Sequence, residues 1–178
     1  HGQGPQLVVA GAGSGKTRAI TYRIAWLAAR GVDPGRIVAV TFTNKAAGEM
    51  RERASRLLEL DPLPAFVGTF HRYALVLLRR WGERIGIQSD FSIVDADDQL
   101  RILRRALDDE GLSETSFAPR AVRAAISAAK NRLLDATAYE ARAQGFFARS
   151  IAPVFRRYER ALRQHGGLDF DDMLAAAV

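Results

Sequence analysis

The chain contains no cysteine. Disulfides, thiolate metal sites and cysteine nucleophiles are therefore excluded. Histidine is scarce: His1, His71 and His165 stand far apart, which argues against a histidine-rich metal centre. No stretch of about 18 uncharged apolar residues occurs, so no membrane-spanning helix is encoded. The opening HGQGPQ lacks the charged-then-apolar build of a signal peptide, and residence inside the cell is the expectation. Lysine is almost missing. Only Lys16, Lys45 and Lys130 occur, so 23 of the 26 basic residues are arginines.

What is present is ordinary globular composition: 178 residues, 48% hydrophobic and 26% charged, enough for one domain or two small ones. Collagen-like, disordered and low-complexity chains are excluded. The formal charge is +6. An arginine-rich basic surface suits phosphate-bearing partners, because the planar guanidinium pairs with phosphate oxygens. A GC-rich coding sequence, which favours arginine and alanine, is the alternative reading.

The first seventy residues alternate between strand and helix. Leu7–Ala10 is a short apolar run before a glycine-rich turn, as in a buried parallel strand. The spacing then predicts a helix over Thr17–Arg30, a strand over Arg36–Thr43, a helix over Asn44–Leu60 and a strand over Ala65–Phe70. Strands separated by helices imply crossovers and a parallel sheet. Beyond His71 the pattern is nearly all helical, with helices expected over Tyr73–Arg84, Asp97–Asp109, Arg120–Arg132 and Ile151–Gln164, and another from near Asp169. Pro119 suits a first helical turn and Asp95 an N-cap.

Ala10 to Thr17 reads A-G-A-G-S-G-K-T between the first strand and the first helix. Glycines let backbone N–H groups close on phosphates, and the helix start adds its positive dipole end. Lys16 is placed to reach the β- and γ-phosphates, and the Thr17 hydroxyl to hold Mg²⁺. The strict pattern has glycine where this chain has Ala10. An Asp after a further apolar strand is needed to complete the Mg²⁺ site. Asp95 ends the apolar Phe91–Val94 run, but Ala96-Asp97-Asp98 after it reads as a helix start. The Asp169, Asp171 and Asp172 group is helix-like. The chain thus carries half of a nucleotide-hydrolysing site.

The second strand ends in Phe42-Thr43-Asn44-Lys45 and the third in Thr69-Phe70-His71-Arg72. Ligands gather at the carboxyl ends of parallel strands. Each end offers a hydroxyl, an aromatic, a polar side chain and a cation, a set that suits single-stranded nucleic acid. The alternatives are core packing for Phe42 and Phe70, capping of the second helix for Thr43 and Asn44, and a structural hydrogen bond for His71. Trp81 with Arg79 and Arg80 reads as a structural tryptophan beside solvated arginines.

In this order, AGAGSGKTR, VTFTNKAAGEMRERA, GTFHRYALVLLRRWG, FSIVDADDQLRILRRAL and GLDFDDML resemble the UvrD/PcrA/Rep family of superfamily 1 DNA helicases. The likeness runs from about Leu7 to the last residue. It implies an α/β fold: a P-loop, RecA-like parallel sheet with a helical insertion, in an incomplete motor domain. It implies a first motor segment over residues 1–72, a helical insertion over 73–165 and a return into the motor domain over 166–178. It implies ATP and Mg²⁺ as cofactors, bound by Ala10, Gly11, Ala12, Gly13, Ser14, Gly15, Lys16, Thr17 and Arg18, with Lys16 and Thr17 catalytic and Thr17 on the metal. Phe42, Thr43, Asn44, Thr69, Phe70 and His71 match DNA-contacting positions; Arg72 departs from the family's common serine.

The implied parent is an ATP-dependent 3′-to-5′ helicase translocating on single-stranded DNA, acting on single- and double-stranded DNA in repair, replication or recombination, in the bacterial cytosol or nucleoid. No membrane partner is implied. The family's adenine-reading glutamine belongs upstream, and neither Gln3 nor Gln6 has its context. The catalytic Asp-Glu pair belongs after residue 178. The chain alone is therefore expected to hydrolyse little ATP, and an unpaired strand edge to cause self-association or modest stability. The alternatives are a piece of a RecB/AddA-like helicase–nuclease, or a non-motor module holding nucleotide and DNA.

Overall fold

In a computed structural model, which describes residues 4–11 and 13–178, the chain forms two compact units, His1–Tyr73 and Ala74–Val178. In the first unit, β1 (Val38–Thr41) pairs in parallel with β2 (Phe66–Thr69), with Val38 opposite Phe66 and Thr41 opposite Thr69. The connection is α2 (Asn44–Leu58). Thr43 caps it, its Oγ1 accepting from the Ala46 amide at 3.2 Å. The helix stops at Glu59, whose φ of 55° is left-handed. Ahead of these lies α1 (Lys16–Ala29), which packs on α2. Ile24 of α1, Met50 and Ala54 of α2, and Ala39 and Val67 of the strands form the core, flanked by Ile37 and Ala65. The expected strands and helices at 36–43, 44–60, 65–70 and 17–30 are all realised: both strands are shorter at each end, α2 stops two residues earlier, and α1 starts and stops one residue earlier.

The expected strand at Leu7–Ala10 does not form. Leu7, Val8 and Val9 are exposed, Leu7 at 89%. A parallel strand exists only where a neighbour supplies the ladder and helices cover its faces. In this unit the only ladder among the described residues is β1–β2, and neither strand pairs with residues 7–10. An apolar run announces a wish for burial, not the partner that grants it.

The second unit is helical. It contains α3 from Ala74 onward (whole helix Phe70–Trp81), α4 (Ala96–Asp109), α5 (Pro119–Lys130), α6 (Ala136–Arg142), α7 (Gly145–Gln164) and α8 (Phe170–Ala176). Asp95 caps α4, its Oδ1 accepting from the Asp97 and Asp98 amides at 2.9 Å. Pro119 opens α5. Leu103 and Leu107 of α4, Val122 and Ile126 of α5, and Ile151, Val154 and Phe155 of α7 are buried together. Two-residue strands, β3 (Ser92–Ile93) and β4 (Gly167–Leu168), pair in parallel, which fastens the segment before α8 to the one before α4.

Two helix starts lie three or more residues ahead of the periodicity, and one helix was not expected. α3 begins at Phe70 and not at Tyr73, because Thr69 Oγ1 accepts from the Arg72 amide at 3.2 Å and so starts the turn. α7 begins at Gly145 and not at Ile151; Gly145 (φ 78°) supplies a left-handed entry, and a glycine beside Phe146-Phe147 reads as a breaker. α6 was not expected: its seven residues are too few for a period to show, although Asp135 caps it, with Oδ1 2.7 Å from the Ala138 amide.

At Gly167 the backbone passes close to a neighbour. A Cβ there would lie 2.8 Å from Val94 Cγ2. Gly167→Ala is expected to cost about 1–3 kcal/mol through overpacking, read as a lower urea midpoint with an unchanged slope.

Candidate functional site

The glycine-rich loop enters α1 through Gly13 and Gly15, both left-handed at φ 75° and 88°. A Cβ at either would meet nothing within 4 Å, so the demand for glycine there is conformational and not steric. Ser14 Oγ donates to the Gly11 carbonyl at 2.7 Å, which closes the turn. Gly15 is the N-cap of α1. It offers no side-chain acceptor, and the first turn holds no acid. The amides of that turn therefore keep their hydrogen-bonding capacity and their positive end for an anion. Lys16 Nζ donates to the Ala10 carbonyl at 3.0 Å and to that of Gly11, so the ammonium lies over the loop it belongs to.

Thr17 is half-exposed on the same turn, and the guanidinium of Arg18 lies 5.5 Å from the Tyr22 ring centroid. Beside Lys16 is a cleft of about 540 Å³, lined also by Gln6, Ala19, Ile20 and Arg23. That volume is in the range of small-molecule sites. Ala12 lies outside the described residues. The loop's donor set suits phosphate. For a metal it offers the hydroxyls of Ser14 and Thr17 and no carboxylate, and no group of three or more His, Asp or Glu among the described residues is arranged to hold an ion.

The parallel register brings the ends of β1 and β2 side by side, Thr41 opposite Thr69. The next residue of each strand is phenylalanine. Phe42 is 89% exposed and Phe70 42%, and their rings stand 5.3 Å apart at 46°. Core packing, the alternative for these rings, does not describe Phe42. Thr43 and Thr69 both spend an oxygen on a helix start, as α2 and α3 require. Capping and surface contact are compatible, because a hydroxyl that accepts one bond retains a donor. Asn44 is exposed and His71 half-buried at the same edge.

The Asp169 group has a different role from the one its acidity suggests. Asp169 is buried and caps α8 in a reciprocal box: its Oδ1 accepts from the Asp172 amide at 2.8 Å, and its own amide donates to Asp172 Oδ2 at 3.3 Å. Lys130 of α5 and Tyr158 of α7 complete its surroundings. Sequence reasoning did not single out these two. Lys130 stands 39 residues away from Asp169, and the only signal was a lysine in a chain that otherwise uses arginine.

Capping by Thr43 has a measurable consequence. Thr43→Ala is expected to lose about 1 kcal/mol of stability through the cap alone, and Thr43→Ser to retain it in the same denaturant titration.

The UvrD/REP helicase N-terminal domain model matches residues 1–178. The ATP-dependent DNA helicase PcrA of Bacillus subtilis (strain 168) is 41% identical over 176 residues, which covers 98% of this chain and 24% of that protein. PcrA of Leuconostoc citreum is 42% identical over 178 residues, covering 99% of this chain and 24% of that protein. PcrA of Staphylococcus epidermidis is 40% identical over 177 residues, with the same two shares. The chain spans about a quarter of the length of these relatives. With a glycine loop opening a helix and two aromatic strand ends at one edge, it belongs to the UvrD/REP helicase N-terminal domain family.

Proposed function

We propose that this chain is the N-terminal, ATP-binding part of an ATP-dependent DNA helicase that moves 3′-to-5′ along single-stranded DNA. The observation that carries the reading is that one compact unit, residues 1–73, holds both a phosphate-type loop and a solvent-facing aromatic pair at adjacent strand ends. Relatives named as ATP-dependent DNA helicases support it.

In this reading the amides of Gly11 and of Gly13 to Thr17 would hold the phosphates, and Lys16 would exchange the Ala10 and Gly11 carbonyls for the β- and γ-phosphate oxygens. The exchange is favourable because a charged acceptor replaces two neutral ones. Thr17 would hold Mg²⁺ through its hydroxyl, with Arg18 at the rim. ATP with Mg²⁺ supplies the phosphoryl-transfer chemistry; this chain's residues bind and orient it. Phe42 and Phe70 stack on bases, while Thr43, Asn44, Thr69 and His71 meet the sugar-phosphate backbone. Residues 73–165 serve as a helical insertion, and 166–178 lead back toward the motor domain. The proposed work is DNA repair, replication or recombination, in the cytosol or nucleoid.

The test is equilibrium binding of a fluorescent ATP analogue with Mg²⁺. Lys16→Ala is expected to weaken it by at least tenfold, about 1.4 kcal/mol, with an unchanged melting temperature because Lys16 is exposed. Equal binding by wild type and Lys16→Ala would contradict the reading. Binding of single-stranded DNA is expected to fall as salt rises, as phosphate contact requires.

A further inference from the structure

Inside the second unit, two carboxylates share one ammonium. Lys130 Nζ lies 2.7 Å from Asp169 Oδ2 and 2.6 Å from Asp172 Oδ1. Lys130 is 4% exposed and Asp169 2%. The Tyr158 hydroxyl donates to the same Asp169 oxygen at 2.8 Å, and the ammonium sits 5.1 Å from the centroid of the Tyr158 ring. The cluster joins α5, α7 and α8. It holds one cation against two anions in a site where an unbalanced charge is costly.

Further acids face the cluster. From α8, Asp171 accepts from Asn131, the C-cap of α5, at 3.4 Å. From α7 comes Glu159, and from the turn before α6 comes Asp135. Both line the same cavity of about 290 Å³ as Lys130 and Asp172. Glu159 is engaged by the Ala136 amide and by Arg163, and Asp135 by the Ala138 amide. Among the residues lining that cavity Lys130 is the only cation.

The two carboxylates are not equivalent. Burial pushes Asp169 up, but the charge and hydrogen bond of Lys130, the Asp172 amide and the Tyr158 hydroxyl outweigh it and hold Asp169 below the usual range. Asp172 has fewer donors. Its side chain is a quarter exposed, and partial burial, with the Asp169 charge beside it, outweighs Lys130 and pushes Asp172 up to about 6. Tyr158 is raised by burial and then by the Asp169 charge, and stays a neutral donor.

We propose that Lys130, Asp169 and Asp172 form a proton-operated latch that fastens α8 to α5, firmest when Asp172 is protonated and loosened when Asp172 ionises. The cluster sits between α5 and the capping turn of α8, so weakening it frees the first turn of α8. The closed form binds the Asp172 proton more tightly than the open form, in which the carboxyl returns toward its ordinary value of 3.8. The latch's contribution is therefore complete below about pH 4 and falls as pH rises through about 6. Between about pH 5 and about pH 7.5 the opening of α8 should increase roughly tenfold. The latch stands apart from the nucleotide and DNA readings.

Amide hydrogen exchange of Met173, Leu174 and Ala175 in the full 178-residue chain, corrected for intrinsic exchange, reads that opening. The expected result is about tenfold less protection at about pH 7.5 than at about pH 5, and no such difference in Asp172→Asn. Equal protection at both pH values in the wild type, or an undiminished difference in Asp172→Asn, would overturn the latch. The carboxyl ¹³C titration of Asp172 in the unsubstituted chain is a second readout. A midpoint near 6 supports the latch and one near 4 refutes it.

Discussion

The first unit depends on the parallel register of β1 and β2. Thr41 stands opposite Thr69, so whatever follows one strand lies beside whatever follows the other. Four paired residues do not hold such a register alone. Helix α2 enforces it: Met50 and Ala54 are fully buried against the strands, and the Arg51 guanidinium donates to the Val67 carbonyl. Thr43 and Thr69 then turn each chain into a helix within a residue or two of the strand end. That abrupt exit leaves Phe42 in solvent and Phe70 half in solvent, ring beside ring. The surface read as a nucleic-acid site is a direct consequence of the register and the two caps.

The second unit relies on aliphatic packing among α4, α5 and α7, with α8 attached differently. Met173 is its buried apolar anchor, beside Leu78 and Phe91, with Ala176 packed against the same cluster, and ion pairs to Lys130 are added to that packing. Apolar packing tolerates small rotations of a helix. A lysine bracketed by two carboxylates, one of them also bonded to a tyrosine and to the helix's own amide, accepts one geometry. The ionic cluster thus fixes where α8 starts, at the expense of carrying an excess negative charge.

Much of this was legible in the sequence. Periodicity located α1, α2, β1, β2, α4 and α5, and Asp95 and Pro119 marked two helix starts, because caps and first turns are local chemistry. What stayed hidden was non-local. The Leu7–Ala10 run looks like a buried strand but has no ladder partner among the described residues. Phe42 looks like a core aromatic until the absence of any cover is seen. Lys130, Tyr158 and Asp169 come from three helix regions, and no spacing in the chain connects them. The glycine loop was the opposite case: its residues are contiguous, and two of its glycines, Gly13 and Gly15, adopt the left-handed backbone that favours glycine.

The central claim is that the two strand ends act as one surface. A double-mutant cycle on Phe42 and Phe70, read by single-stranded DNA affinity at fixed salt, tests it most directly. The account predicts that Phe42→Ala and Phe70→Ala each weaken binding, by about 1–3 kcal/mol per stacked base. It also predicts that the double variant loses clearly less than the sum, because the rings are in contact. Unchanged affinity in either single variant, or strictly additive losses, would contradict it.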